Sequence, residues 1–515
     1  MKISNSVGLS AGILKNGLVS AIDADPVKIS LRTPSIYSGA SANIWLRKRG
    51  GLIEYRPLMG PGSDTRFRTG KNYFRVVGSW DGLEYECLLQ LSEKSLSWKW
   101  SVDILNNSGE DRVLDLICVQ DVGLKVTASG PVNEYYVSQY LERRILEDPV
   151  YGSVICCRQN MKEAGGHPWL MIACVNGAVA ASTDGMQFYG RTYRQAGIPE
   201  GVVSDRMGGE YAGESSVVAL REVAFDLPAG ARHRSAFVAK FMRNHRPATS
   251  LSDLDRLPGL LSEFARQRRT KDTGDWMKPA TNLFNHPDFL QAQELNEAEL
   301  DKFFGSERRH SEIYGGKLIS FFSGANNHIM LREKESLVDR PHGHIMQAAG
   351  GFTPDERIMS TTAFAFGVFN SHLTQGNTNF NTLLSVCNSQ FNLSPETGQR
   401  IFIEIGGKFR LLGVPSAFET GLNSCRWIYR YGDHCFQVRT WTSMRSPLVN
   451  MDFTVLSGEG IRLLVTHDFD DLNGWRLVPG NAEGSHIAVP DPGSMIAKRF
   501  PGARFRITVR TTGNG

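Results

Sequence analysis

Alternation of apolar and polar side chains marks the clearest strand in this chain. In the segment LSWKWSVDIL, every second residue is apolar: Leu96, Trp98, Trp100, Val102 and Ile104. A period of two places one face of an extended segment against a core and the other in water. The pattern predicts a half-buried antiparallel strand.

A hairpin is predicted upstream, in NIWLRKRGGLIEYRPL. The two apolar runs are separated by Arg49, Gly50 and Gly51, and we expect the glycines to take the positive φ that tight turns require.

Two distant segments share one pattern. GSWDGLEYECLLQLS leading into DILNNSGEDRVLDLICVQD resembles YRYGDHCFQVRTWTS leading into DFTVLSGEGIRLLVTHD. Each has a strand, a turn of glycine and an acid, a second strand, Ser-Gly-Glu and an apolar run that ends in Asp. Two related β-sandwiches would produce this repeat; the alternative is that strand-turn-strand patterns match by chance.

Helical patterns interrupt the strands only once. LSDLDRLPGLLSEFARQRRT has helical spacing, and LNEAELDKFFG offers Asn296 as an N-cap, Glu299 three residues later and Gly305 at the end. Beyond Gly305 we expect strands and no further helices. The predicted fold is mainly β, with antiparallel sandwich domains at 1–246 and 306–515 joined by a helical linker at 247–305.

Composition agrees with a globular β protein. The chain has 515 residues, 41% of them hydrophobic, and 52 glycines, a content that favours many turns. A formal charge of +4 without a long basic run gives no reason to expect nucleic acid or membrane binding. Two short clusters of basic residues are interpreted as solvated surface: Arg47, Lys48 and Arg49, and Arg266, Arg268 and Arg269.

The amino terminus lacks the apolar core of a signal peptide, so we expect a cytoplasmic protein. The eight cysteines have no C-x-x-C spacing and lie mostly in apolar runs, which indicates reduced core residues rather than disulfides or zinc ligands.

The densest polar segment runs from 340 to 381, with three histidines, two arginines, two glutamines and four asparagines among glycines. Such side chains can read sugar hydroxyls through paired donors and acceptors. The alternative is that they satisfy loop backbone, a common role of polar side chains near glycine. The candidate substrate-binding residues are Arg340, His342, His344, Gln375, Asn377 and Asn379.

Two further segments admit two interpretations each. Trp427, Tyr429, Tyr431, Phe436 and Trp441 could stack on sugar rings, but the period-two spacing of the first three favours one face of a sandwich core. LMGPGSDTRF, with Arg66 and Arg68 nearby, could meet an anion, although its proline and glycines favour a rigid turn.

No catalytic or metal motif stands out. Glu419, Asp433 and Asp468 are possible acids by type, but no spacing selects one. HDFDDLNG misses the calcium-loop pattern at Leu472, and His342 with His344 has no evident third metal ligand. We therefore assign no catalytic residue, no metal site and no cofactor.

Three stretches carry a family resemblance: LRKRGGLIEYRPLMGPGSDTRF, the polar segment at 340–381, and GQRIFIEIGGKFRLLGVPSAFETGLNSCRWIYRYGD. The chain resembles the amino-terminal half of the bacterial 1,2-β-oligoglucan phosphorylases, inverting enzymes of the group that includes cellobiose phosphorylase. The resemblance is strongest from about Asn296 to Asp470 and implies galactose-mutarotase-like sandwiches.

It also implies a reaction: phosphate and a β-1,2-glucooligosaccharide give α-glucose 1-phosphate and a shorter glucan. In that family the general acid and the phosphate site lie in a helical barrel whose pattern we do not find in this sequence. The expected role is therefore a cleft wall for β-glucan, packed on a barrel domain or subunit and supporting the contacts of a homodimer. Inorganic phosphate would be the co-substrate of the full enzyme, and this chain alone should be inactive.

Two other functions remain open. The chain could be a free-standing carbohydrate-binding or scaffold protein, or one sandwich could be a mutarotase-like enzyme that uses a histidine and an acid at an anomeric carbon. A neighbouring reading frame that encodes a helical barrel would favour the phosphorylase.

Overall fold

A computed structural model describes the chain up to residue 510, except at positions 33, 35, 38–41, 127–133, 214, 267–273, 349–357, 376–397, 468, 470–473 and 482–483. The chain divides into two compact units. The first comprises Met1–Tyr193 and Gly197–Pro287, and the second comprises Arg194–Ala196 and Asp288–Gly515.

The first unit is built mainly from strands. They are β1 Lys2–Ser4, β2 Leu9–Ile13, β3 Val19–Ala24, β4 Val27–Lys28, β5 Asn43–Lys48, β6 Glu54–Pro57, β7 Thr65–Thr69, β8 Tyr73–Trp80, β9 Leu83–Leu91, β10 Ser97–Asn106, β11 Arg112–Asp121, β12 Lys125–Val126, β13 Leu141–Asp148, β14 Gly152–Gln159, β15 Trp169–Cys174, β16 Ala178–Asp184, β17 Ser216–Glu222, β18 Phe225–Leu227 and β19 Arg232–Met242. The helices are α1 Glu134–Gln139, α2 Gly185–Ala196, α3 Glu200–Val203 and α4 Leu257–Arg266, with a 3₁₀ helix at Leu251–Arg256.

Two sheets enclose the core of this unit. One has the order β1-β2-β3-β4-β12, and the other runs β6-β5-β11-β17-β16-β14-β15-β19-β10-β9-β8-β7, with β13 on β14 and β18 on β11. Apolar residues of both sheets share one cluster that includes Ile22, Leu89 and Trp100. The alternation predicted around Trp98 is confirmed, because β10 buries every second side chain and pairs antiparallel with β9 and β19.

The predicted hairpin is also confirmed, but its glycines do not take the positive φ that we expected. β5 and β6 pair antiparallel from Trp45↔Pro57 to Lys48↔Glu54. Neither Gly50 nor Gly51 is among the glycines with positive φ. The five residues between the strands give the chain enough length to turn without that conformation.

The expectation that Arg47, Lys48 and Arg49 form solvated surface is wrong. Arg47 is fully buried and binds Asp115 through two hydrogen bonds of 2.7 and 2.6 Å. Lys48 is 9% exposed, and Arg49 donates to Asp115 and Asp205 at 2.9 and 2.7 Å. A buried arginine needs a paired carboxylate, and Asp115 lies 68 residues away, beyond the reach of local sequence patterns.

The second unit begins before the helical linker ends. Its strands are β20 Phe289–Leu290, β21 Arg308–Tyr314, β22 Lys317–Ser323, β23 His328–Leu331, β24 Gly343–Ala348, β25 Met359–Phe364, β26 Val368–Gln375, β27 Gln399–Ile405, β28 Lys408–Leu412, β29 Ala417–Thr420, β30 Ser424–Tyr431, β31 His434–Thr442, β32 Val449–Ser457, β33 Leu463–His467, β34 Arg476–Pro479, β35 Ser485–Val489 and β36 Phe505–Thr508. Its helices are α5 Glu297–Phe304, α6 Arg332–Leu337 and α7 Met495–Arg499.

Two sheets of this unit form a sandwich. One has the order β20-β28-β27-β26-β25-β24 with β33 on β27, and the other has the order β21-β22-β23-β29-β30-β31-β32. Their inner faces meet in one cluster, where Ile401 and Phe369 of the first sheet join Trp427 and Phe436 of the second. A small sheet, β34-β35-β36, completes the unit.

The predicted repeat corresponds to the same succession of strands in both units. β8, β9 and β10 are consecutive neighbours, and β11 then pairs elsewhere; β30, β31 and β32 are also neighbours, and β33 then pairs with β27. Each first hairpin has a two-residue turn in which glycine has positive φ, 75° at Gly82 and 57° at Gly432. A common origin of the two sandwiches remains a prediction.

The helical linker has helices at its two ends. Asn296 and Glu299 form the predicted capping box, with bonds of 2.9 and 2.8 Å, and Gly305 follows the last turn of α5. Helix α4 packs into the first unit through Leu257 and Leu260, whereas α5 packs into the second through Leu300 and Phe304.

The expectation of no helix beyond Gly305 is wrong, because α6 and α7 lie there. Both are short: α6 has six residues and α7 has five. Segments this short span fewer than two helical turns, so their sequences do not reveal a helical period. In the residues that the structure describes, no helix has the length and apolar character needed to cross a membrane.

Candidate functional site

The histidines of the predicted sugar site lie at the start of one edge strand in the second unit. Arg340 is exposed, His342 directly precedes β24, and His344 is the second residue of that strand. Gln375 ends β26, and only its backbone is described. Asn377 and Asn379 lie outside the described residues.

Strand register places Gln375 away from the two histidines. β25 lies between β24 and β26, with His344 opposite Ala363 and Gln375 opposite Met359. Four residues of extended strand separate those two positions, which is about 13 Å along the sheet. The positions of His344 and Gln375 are therefore separated along the strands rather than gathered in one compact pocket.

His342 is held by a buried carboxylate from the preceding helix. Its Nδ1 lies 2.8 Å from Oε2 of Glu335, and its backbone N–H donates to the same oxygen at 3.2 Å. The Glu335 side chain is 3% exposed and that of His342 is 23% exposed. The second carboxylate oxygen, Oε1, is buried and has no hydrogen-bond partner among the described residues.

Further rings and charges surround this pair. His328 lies 6.5 Å from His342 between ring centroids and stacks on Phe322 at 4.6 Å. Burial lowers the pKa of His328, and the nearby His342 and Lys334 lower it further, while Glu312 opposes them. The Lys334 ammonium donates to Glu312 at 2.6 Å. The neutral form of His328 is therefore favoured.

His344 has a different environment. Its Nε2 lies 3.4 Å from the carbonyl oxygen of Leu422. Nearby, the Asn423 side chain bonds the backbone of Gln347 twice, at 3.0 and 2.9 Å. The Asn423 side chain thus pairs with the backbone N–H and C=O groups at the edge of β24, as the backbone of a neighbouring strand would. At this point the backbone of the polar segment is satisfied by a side chain from outside it.

The aromatic segment belongs mainly to the core. Trp427, Tyr429 and Phe436 are fully buried. The indole of Trp427 donates to the Phe364 carbonyl at 3.2 Å, and the Tyr429 hydroxyl donates to the Gly413 carbonyl at 2.8 Å.

Two other aromatic residues are half-buried beneath arginines. Arg410 lies over the ring of Tyr431 at 5.5 Å, and Arg439 lies over Trp441 at 4.5 Å. The core interpretation thus holds for Trp427 and Tyr429, and Tyr431 packs against the same core cluster as a partly buried residue.

The segment LMGPGSDTRF forms a turn that leads into β7, as the turn interpretation expected. The backbone at Gly62 accepts a hydrogen bond from Arg56 at 3.1 Å, and a Cβ at Gly62 would lie 2.7 Å from the ring of His286. Arg68 stacks on Trp276 at 4.3 Å.

Of the acids that the sequence could not rank, Glu419 and Asp433 are described, and Asp433 is exposed. Glu419 accepts from Arg426 at 2.5 Å and from Asn327 at 2.9 Å, which gives it a structural role. Asp468 lies outside the described residues. Over the described part of the chain, no group of three potential metal-binding side chains occurs.

Sequence reasoning missed Glu335 and His328. Glu335 lies in LREKESLVD, a segment without a strong pattern, seven residues before His342. The charged run just before RPHGH is the feature of the sequence that could have indicated Glu335. Its contact with the imidazole, however, depends on the helical turn that places the carboxylate beside the ring.

Two family models match the chain. The SOGP N-terminal domain matches residues 12–239, and the glycoside phosphorylase supersandwich domain matches residues 305–514. The chain belongs to this glycoside phosphorylase family. The two matches leave out residues 240–304, which include nearly all of the linker.

One curated relative aligns along almost the whole chain. It is a 1,2-beta-oligoglucan phosphorylase from Listeria innocua serovar 6a, 25% identical over 519 residues. The alignment includes 98% of this glycoside phosphorylase chain but only 45% of the relative. The chain thus spans less than half the length of that relative.

Solved structures show more distant similarity. A polysaccharide lyase aligns over 86% of this chain and 47% of its own, with a TM-score of 0.31 and 9% identity. A galactose mutarotase-like protein from Clostridium acetobutylicum aligns over 46% and 93%, with a TM-score of 0.27 and 9% identity. Scores this low carry no information about function.

Proposed function

We propose that this chain is the amino-terminal, two-sandwich portion of a phosphorylase that acts on β-1,2-linked glucooligosaccharides. The observation that carries the proposal is the alignment to a 1,2-beta-oligoglucan phosphorylase over 98% of this chain and 45% of the relative. The remaining 55% of that relative has no counterpart here, and we assign the catalytic barrel to such a portion, as a domain or a separate subunit.

The reaction of the whole enzyme would be inverting phosphorolysis. One acid protonates the glycosidic oxygen while phosphate attacks the anomeric carbon from the opposite face, which gives α-glucose 1-phosphate and a shortened glucan. Two buried carboxylates of the described residues, Asp115 and Glu335, are bound by Arg47 and His342, which argues against either of them acting as that acid. The chain is therefore proposed to bind and shape rather than to catalyse.

We place the proposed glucan wall at the end of β24, where His342 and His344 lie, with Gln375 at the far end of β26. Between these ends, Met346, Thr361 and Met359 on the same face are buried, so the wall is assigned to the strand ends. Partly exposed imidazoles supply hydrogen-bonding groups there. We also propose a cytoplasmic location, because the described cysteines are unbridged and six of the seven are buried.

Carbohydrate titration tests the wall. Purified chain with ¹⁵N-labelled histidine should show saturable shifts of the His342 and His344 signals with millimolar β-1,2-linked glucotriose. A β-1,4-linked glucotriose is the control for linkage and should give much weaker shifts. Unchanged signals with the β-1,2 sugar, or equal responses to both sugars, would contradict the proposal.

A further inference from the structure

We propose that Glu335 is a positioning residue that fixes the tautomer of His342, so that Nε2 of this ring presents a lone pair to a glucan hydroxyl group. The inference rests on the proposed glucan wall and deepens it, because it states which atom of the wall accepts a hydrogen bond.

The tautomer follows from the hydrogen bonds of Glu335. A carboxylate oxygen only accepts, so His342 Nδ1, at 2.8 Å from Oε2, must carry a proton. In the neutral ring the other nitrogen, Nε2, is then unprotonated and acts as an acceptor. The His342 backbone N–H donates to the same oxygen at 3.2 Å, which keeps the carboxylate in register with the ring.

Burial explains why this contact can dominate the ring. The Glu335 side chain is 3% exposed, and Oε1 is buried without a partner in the described part of the chain. A hydrogen bond from an N–H group stabilises a buried carboxylate oxygen more than an exposed carboxylate oxygen, because water does not compete for the buried one. Glu335 therefore holds both the orientation and the proton position of the ring.

The exposed part of His342 is the part that Glu335 does not contact. The ring is 23% exposed, and its Nδ1 edge lies against a side chain that is almost fully buried. The opposite edge, with Nε2, is the one left for a ligand. A neutral polyol suits it, because sugar hydroxyl groups can donate to a lone pair.

The neighbouring charges do not replace Glu335 as the partner of Nδ1. Lys334 is engaged by Glu312 at 2.6 Å, and Ser320 donates to Glu312 at 2.8 Å. The His328 ring approaches edge-on, with an interplanar angle of 79° and a centroid distance of 6.5 Å. A further histidine, His310, contacts the Phe322 ring edge-on, with 5.9 Å between ring centroids.

Nitrogen NMR reads the tautomer directly and without a ligand. In full-length chain with ¹⁵N-labelled histidine, at about pH 8.5 where ordinary imidazoles are neutral, two-bond ¹H–¹⁵N spectra should show His342 as the Nδ1–H form. His342→Gln assigns the signal. Glu335→Leu should abolish the preference for the Nδ1–H form, whereas Glu333→Leu, the same change two residues away on helix α6, should preserve it.

Binding shows whether the tautomer matters. Titration with β-1,2-linked glucotriose should give an affinity about 2- to 10-fold lower in Glu335→Leu than in the wild type, the value of one lost hydrogen bond, and an unchanged affinity in Glu333→Leu. Thermal melting of each variant identifies any loss of folded protein, and affinities are compared on the folded fraction.

The outcomes separate this inference from the proposed function. A wild-type His342 in the Nε2–H form, or a tautomer that survives Glu335→Leu, overturns the positioning role. A tautomer that changes while glucotriose affinity stays the same also overturns it. If the Nδ1–H form is present but no variant and no wild-type protein binds glucotriose, the glucan wall itself is contradicted and the ligand assigned to Nε2 is withdrawn with it.

Discussion

Three described histidines meet buried carboxylates, His233, His245 and His342, and the last two show different uses of this contact. In the first unit His245 Nε2 lies 2.6 Å from Asp253 and its ring stacks on Trp169 at 4.9 Å. In the second unit His342 meets Glu335 at 2.8 Å. The first pair is closed, because Nδ1 of His245 also meets the Pro247 carbonyl at 3.0 Å. The second ring keeps one edge for a ligand, so similar contacts serve stability in one place and a proposed surface in the other.

The closed pair predicts acid sensitivity. Burial alone would raise the pKa of Asp253, but hydrogen bonds from the Ser250 backbone, His245 and Arg256 outweigh it and hold the pKa below 3.8. A carboxyl group whose pKa is lowered by folding stabilises the fold above its unfolded pKa, and this contribution is lost as pH falls through the folded value.

Asp253→Asn should therefore destabilise the chain at neutral pH by about 1–3 kcal/mol. The difference from the wild type should shrink as pH falls below 3.8. Thermal unfolding between pH 2 and 7 measures it, with the exposed Asp255→Asn as the matched control. A difference that is constant across this range would show that the carboxylate charge is not what stabilises the contact.

For the polar segment at 340–381, His344→Ala and Asn377→Ala distinguish sugar binding from satisfaction of the loop backbone. If these side chains line a glucan wall, each substitution should weaken β-1,2-glucan binding by about 1–3 kcal/mol and preserve the melting temperature. Binding and melting are measured on the same samples. A lower melting temperature with unchanged affinity of the folded protein would favour the role of satisfying loop backbone, which the contact of His344 with the Leu422 carbonyl already represents.

At the scale of elements, prediction succeeded where the signals were local. Alternation identified β10, and the capping box at Asn296 and Glu299 identified α5. Helix α2 was missed although Asp184 caps its start and Gly197 follows its end. Its interior contains Gly190 with φ 59° and ψ −159°, and this kink breaks the helical period on which the sequence reading depended.

The kink at Gly190 gives a prediction at this scale. A Cβ there would lie 2.3 Å from Oε2 of Glu200, and the positive φ strains any other residue. Gly190→Ala should destabilise the chain by about 1–3 kcal/mol in chemical unfolding. Gly259→Ala in α4 is the matched control, since a Cβ there meets nothing within 4 Å; it should stabilise the helix by up to about 1 kcal/mol. Equal effects of the two substitutions would contradict the account of the kink.

For the whole molecule, the mainly β fold followed from the sequence and the site did so only in part. We could predict the period-two strands, the glycine turns and the two helical patterns of the linker, because each depends on neighbouring residues. The pairing of Arg47 with Asp115 and the separation of Gln375 from His344 depend on which strands become neighbours, and local patterns do not contain that information. Glu335 was missed for a related reason, since its role appears only when α6 folds back toward β24.

The central claim is that this chain shapes a glucan site and does not catalyse phosphorolysis. The most direct test incubates the purified 515-residue chain with β-1,2-linked glucotriose and inorganic phosphate and measures glucose 1-phosphate. The full-length Listeria innocua relative, assayed in parallel, serves as the positive control. We predict release by the relative and none by this chain. Release of glucose 1-phosphate by the chain alone, proportional to its concentration, would contradict the account, because it would place the general acid and the phosphate site within these 515 residues.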